Sequence, residues 1–179
     1  LLNIMVPFKR FLLALPWVAV VFAVGLAGWQ LGGKRLGLLS ASLAAFIAVM
    51  GLWTKAMVTI YLFGLSVIIA CLIGIPIGVL ASSHDRFHHV VSVIIETLQT
   101  LPSFVYLMPV VMLFRVGDFA AMLAVIAYAV TPIIRYTDHG IRQVNPDLIE
   151  ASQQAGCTRN QVLRKVQLPL SLPHIMLGV

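Results

Sequence analysis

The sequence predicts an all-α, polytopic transmembrane helical protein, and three observations carry that expectation. Apolar side chains make up 60% of the 179 residues, with 13 glycines besides. Charged residues are only 10%, where a soluble domain carries roughly 25%. Mean hydropathy is +1.00, so the polar side chains are too few to cover a water-soluble globule. The net charge of +6 comes from 12 Lys and Arg against 6 Asp and Glu. These basic residues fall in short breaks between apolar runs, where they set orientation and meet anionic headgroups.

Each apolar run is a candidate span. Phe11 to Leu31 holds 21 residues without a charge, long enough at roughly 31 Å to cross a hydrocarbon core. Pro16 lies near its start, and Trp17 and Trp29 stand near opposite ends, at headgroup level. Leu36 to Trp53 is a second run, and Ala56 to Ala81 a third, with a kink expected at Gly74-Ile-Pro-Ile-Gly78. Val90 to Phe114 is interrupted by Glu96, Gln99 and Pro102. It reads as one helix that starts in the interface and continues past Pro102 with a kink. Arg115 to Asp118 is a tight turn, and Phe119 to Ile134 returns through the membrane, with Arg135 snorkelling at its end. A polar segment, 138–169, precedes the apolar helix that begins at Leu170.

That count is five spans and the start of a sixth. It puts Lys9, Arg10, Lys55 and Arg115 on one side and the other eight basic residues opposite. The positive-inside rule then makes loop 138–169 cytoplasmic and the N-terminus extracytoplasmic, in a multi-pass membrane protein. The chain begins Leu-Leu-Asn and ends within an apolar run, as a C-terminally truncated fragment would. The two cysteines, Cys71 and Cys157, form no disulfide or metal-ligand spacing.

The polar loop carries the most information. Asn145 before Pro146 is a helix start, and Asp147 and Glu150 place acid in the first turns. Leu148, Ala151 and Ala155 recur at helical spacing, and Gly156 stands where a left-handed terminal residue is expected. Thr158 with Gln161 is a capping-box signature for a second helix, after which Pro169 falls near its end. Two short helices about a glycine also describe a DNA-binding pair. Here both ends run directly into membrane helices and the local charge is near balance, which argues against a nucleic-acid partner. A self-contained connecting loop and a docking element for a cytoplasmic protein remain the two readings.

Glu150-Ala151-Ser152, then Gly156, then nine residues to Val166-Gln167-Leu168-Pro169 resembles the EAA loop of binding-protein-dependent ABC importer permeases. Ser152 replaces an Ala of that pattern and Val166 an Ile. Glu96 to Phe114, and Val166 to His174, resemble the glycine betaine/proline permease group. The resemblance implies a type I ABC importer permease-like core over 54–179 behind N-terminal membrane helices at 1–53. It implies that Asn145 to Ala155 is a coupling helix, with Glu150, Ala151 and Gly156 as its marked positions. The implied partners, in an inner-membrane assembly, are a cytoplasmic ABC ATPase holding ATP and Mg, a second permease subunit in a homodimer, and an extracytoplasmic substrate-binding protein. The P-loop pattern G-x-x-x-x-G-K-[ST] is absent from this chain, so no enzymatic role or cofactor is expected of it. An ion-coupled secondary transporter and a structural membrane protein are the alternatives from other classes.

Weaker candidates lie in the membrane segments. Glu96 and Gln99 are costly against lipid and must face protein, water or the interface. Phe104, Tyr106 and Tyr128 have ring faces suited to a quaternary ammonium group, while Pro102 marks a kink in a translocation path. His84-Asp85-x-x-His88-His89 has metal-ligand spacing, but a solvated turn explains it with less, and no metal is expected.

Overall fold

The computed structural model describes residues 2–179, apart from the side chains of residues 2–4, Ser103 and Tyr106. Two compact units divide the chain, 1–65 and 66–179. Among the described residues three helices are long and apolar enough to cross a membrane: Trp17–Val49, Trp53–Ser83 and Asp118–Arg142. The all-α membrane architecture expected from composition is therefore present.

In the first unit, α1 (Leu2–Ala14) and α2 (Trp17–Val49) are separated at Pro16, which is extended at φ −65°, ψ 130°. The predicted span Phe11 to Leu31 is thus not one helix. Proline has no N–H to continue the ladder and crowds the preceding turn, so the helix restarts after it. Nor is α2 a straight rod, because Gly32 and Gly33 leave helical geometry, Gly33 at φ 78°. Ser40 Oγ donates to the Val24 carbonyl at 3.3 Å, a pair that a continuous helix would hold about 24 Å apart. The two arms therefore form an antiparallel hairpin. Gly28 and Gly37 are buried in its seam, and a Cβ at Gly37 would lie 2.8 Å from the Gly25 carbonyl oxygen. Small residues let membrane helices approach this closely. Outside the seam the arms expose Phe22, Leu31, Leu38 and Phe46, as lipid-facing surfaces do. Met5, Met57 and Tyr61 are buried where α1 meets the start of α3 (Trp53–Ser83), with Phe8 and Tyr61 rings 6.3 Å apart.

The second unit is built round α6 (Asp118–Arg142). It runs parallel to α3, whose Gly74 abuts Ile133 and whose Gly78 abuts Thr137 and the Ile134 carbonyl. The Gly74-to-Gly78 segment lies inside a helix that continues through Pro76. Its glycines make a close-packing seam, which the kink reading did not anticipate. Pro102 likewise does more than kink. Leu101 and Pro102 are extended, separating α4 (Asp85–Thr100) from α5 (Ser103–Phe114), because a residue before proline is pushed out of the helical region. At 12 residues, α5 is about 18 Å long, short of a hydrocarbon core near 30 Å. The fourth predicted span is therefore not a single helix. A turn at Arg115, φ 63°, returns α5 onto α6, with the Phe114 and Phe119 rings edge-on at 5.2 Å.

Beyond α6 come α7 (Pro146–Gln154) and α8 (Arg159–Val162), then a π turn over Leu163–Gln167 and α9 (Leu168–Leu177). The residues at both junctions of the π turn are helical, so 159–177 is one helix. The sequence reading ended this helix near Pro169; the structure instead widens the turn before Pro169, relieving its clash with the carbonyl four residues back. The helix packs antiparallel on α6. A Cβ at Gly140 would lie 2.7 Å from His174 Cβ, and one at Gly178 2.9 Å from Tyr136 Cβ. So α6 and 159–177 form a tight hairpin with α7 at its tip.

Candidate functional site

The tip is shaped by local chemistry. Asn145 Oδ1 accepts from the Asp147 backbone N–H at 2.9 Å, and Pro146 occupies the first helical position. The helix closes in a Schellman motif: Gly156 N–H donates to the Gln153 carbonyl at 2.9 Å and Cys157 N–H to the Ser152 carbonyl at 3.1 Å. Gly156 has φ 84°, the left-handed geometry anticipated from its position. Thr158 N–H donates to Gln161 Oε1 at 2.8 Å, the reciprocal bond of a capping box.

These caps present one face of α7 to the outside. Asp147, Leu148, Glu150, Ala151, Ala155 and Gly156 are exposed, while Ile149 and Ser152 are half-buried on the other face. Leu148 is 47% exposed, an apolar side chain on an otherwise polar tip. The predicted loop set is not all brought together. Val166 and Leu168 are half-buried in the π turn and at the start of α9, and Pro169 is exposed. The loop also starts later than expected, since Asp138 belongs to α6 and is buried.

That burial exposes a group of residues the sequence reading missed. Asp138 Oδ2 accepts from His88 Nδ1 at 2.7 Å, and its Oδ1 from Arg142 Nε at 3.0 Å. Arg142 Nη1 donates to Asp85 Oδ1 and Nη2 to the Ala81 carbonyl, each at 2.9 Å. The ends of α3, α4 and α6 are joined here, three residues before Asn145. His88 is thus a hydrogen-bond partner of Asp138 rather than part of a solvated turn, and the four-residue spacing of Asp138 and Arg142 was the available signal.

Between α4 and α6 lies a cavity of about 630 Å³ whose lining includes His88, Ser92, Glu96, Gln99, Arg135 and His139. Gln99 Oε1 accepts from Arg135 Nη1 at 2.9 Å, so Arg135 bonds within the protein instead of merely snorkelling. Phe104 and Tyr128 do not line this space and are 71% and 63% exposed. Pro102 caps α5, and the Tyr106 side chain lies outside the described residues.

Small-residue helix seams, a long apolar surface and a folded polar tip define a polytopic membrane component with a presented loop. Residues 74–179 match the model of the binding-protein-dependent transport system inner membrane component, and the chain belongs to that family. It is 37% identical over 179 residues to the trimethylamine N-oxide transport system permease protein TmoV of Ruegeria pomeroyi, covering 99% of this chain and 27% of that one. To the glycine betaine/proline betaine transport system permease protein ProW of Escherichia coli it is 40% identical over 174 residues, covering 96% and 49%. To the choline transport system permease protein OpuBB of Bacillus subtilis it is 37% identical over 115 residues, covering 64% and 53%. The chain spans about half or less of the length of these curated relatives.

Proposed function

We propose that the chain forms the core of a permease subunit in an ATP-driven importer of glycine betaine, proline or a related quaternary-amine osmolyte. The observation that carries this reading is α7, capped at both ends and presented at the tip of a tight hairpin with Leu148, Glu150, Ala151 and Ala155 outward. In this reading α7 docks on a cytoplasmic ATPase that holds ATP and Mg, and 54–179 is the permease part. When two ATPase subunits close, the docked helices of a permease pair are drawn together, and each hairpin turns its membrane helices from one access state to the other. An extracytoplasmic receptor delivers the solute. The solute class is supported by the relatives' names, which share amines bearing several methyl groups or ring carbons. Glu96 and Gln99, in the cavity beside α6, are our candidates for the translocation path, and Pro102, Phe104, Tyr106 and Tyr128 are further candidates. The test is uptake of labelled glycine betaine by cells expressing the full-length permease with its ATPase and receptor. Competition by unlabelled proline, choline or trimethylamine N-oxide ranks the solutes, and failure of all four to be taken up or to compete overturns the substrate class.

The same reading places the tip in the cytoplasm. The end of α3 with His84, and the helices α7 and α8, border one space of about 350 Å³, which Ser82, Ser83, His84, Gln153, Arg159 and Asn160 help to line. These polar segments therefore share one end of the second unit. With Cys71 and Cys157 replaced, a single cysteine at Asn160, an exposed position, will be protected from an impermeant thiol reagent in intact cells. It will react after permeabilisation. Labelling in intact cells would reverse the orientation.

A further inference from the structure

We propose that Arg142 is a positioning residue that passes displacement of α7 to α3 and α4, so that ATP hydrolysis is tied to solute movement. The proposal rests on the docking of α7 argued above. Three different guanidinium nitrogens hold three acceptors: Asp138 on its own helix, Asp85 at the start of α4, and the Ala81 carbonyl in the last turn of α3. Arg142 is the last residue of α6, and only Gln143 and buried Val144 separate it from the Asn145 cap. A push on α7 therefore reaches Arg142 within one short connection. The guanidinium is planar, with donors fixed in a fork, so it cannot move without dragging or releasing acceptors on two other helices. His88 adds a second tie, joining α4 to the same Asp138 carboxylate. These bonds also border the cavity, since Ala81, His88 and Asp138 form part of its wall. A shift of the cluster would alter the spacing of α4 and α6 round Glu96 and Gln99.

A purely structural Arg142 would bond the Ala81 carbonyl at the end of α3 and stabilise the fold, with no effect on how many ATP molecules each solute costs. The two roles separate in proteoliposomes holding the complete transporter: full-length permease, ATPase and receptor. Arg142→Lys keeps the charge but compresses three donors onto one nitrogen, which cannot span three acceptors. Asp85→Ala removes only the bond from Arg142 to α4 and leaves the His88 tie in place, at a side chain 93% exposed, where the substitution does not threaten folding. Both variants should retain ATPase co-purification while ATP hydrolysed per solute imported rises about five-fold or more, the scale of a typical coupling energy. Captured ATPase with an unchanged ratio in both variants overturns the proposal and leaves docking intact. A wild-type permease that captures no ATPase overturns the docking reading, and the coupling role of Arg142 falls with it.

Discussion

Ala151→Trp and Glu150→Lys in the full-length permease will lower ATPase co-purification and ATP-dependent uptake about ten-fold or more, at unchanged abundance in the membrane. The expectation follows from where α7 sits. Both side chains are exposed, so neither substitution disturbs the packing of the chain itself, and surface changes of this kind usually alter stability by about 0.5 kcal/mol or less. Against a partner the same changes act differently. Trp in place of a small residue overpacks a helix-in-groove contact, and Lys reverses the charge that Glu150 presents to the partner. A loss of about 1.4 kcal/mol in association is already a factor of ten. Gly156→Asp adds a graded control. A Cβ there meets nothing within 4 Å, so its cost to the chain is the left-handed backbone alone, about 1 kcal/mol. Co-purification and uptake are measured together, each normalised to permease abundance. A self-contained loop predicts full association and uptake in all three variants, and that result would remove the docking role of α7.

Gly78→Leu will destabilise the second unit by about 1–3 kcal/mol, as overpacking of a close contact does. A Cβ at this position would stand 2.6 Å from Thr137 Cβ and 2.9 Å from the Ile134 carbonyl oxygen. Neither is the mobile end of a long side chain, so α3 and α6 must separate. Gly64 is the control on the same helix, because a Cβ there meets nothing within 4 Å. Gly64→Ala should hold or raise stability through helix propensity, by up to about 1 kcal/mol. The measurement is the thermal midpoint of purified protein in detergent, followed by the loss of helical circular dichroism. Equal midpoints for Gly78→Leu and wild type would show that the glycine seam does not hold α3 against α6.

Features decided within a few residues were legible without coordinates. The Asn145 cap, the Thr158–Gln161 pair and the left-handed Gly156 depend on hydrogen bonds spanning two to five positions, and side-chain type alone selects them. Membrane solvation was equally legible, because composition determines whether water can cover the chain. Positions with two local solutions were not. Gly74, Pro76 and Gly78 suit a kink as well as a seam, and only Ile133 and Thr137, about sixty residues away in sequence, decide for the seam. Pro16 and Pro102 break helices while Pro76 rides inside one, since packing on both sides determines whether the lost hydrogen bond is tolerated. The cluster at Arg142 is the clearest tertiary product. His88 meets Asp138 across 50 positions and Arg142 meets Asp85 across 57, and no periodicity within either segment encodes that meeting. Its charges looked like loop residues because burial of a carboxylate is set by the helices that close over it. Composition and local side-chain chemistry thus fix the solvent and the caps, while packing between distant segments decides which charges are buried together.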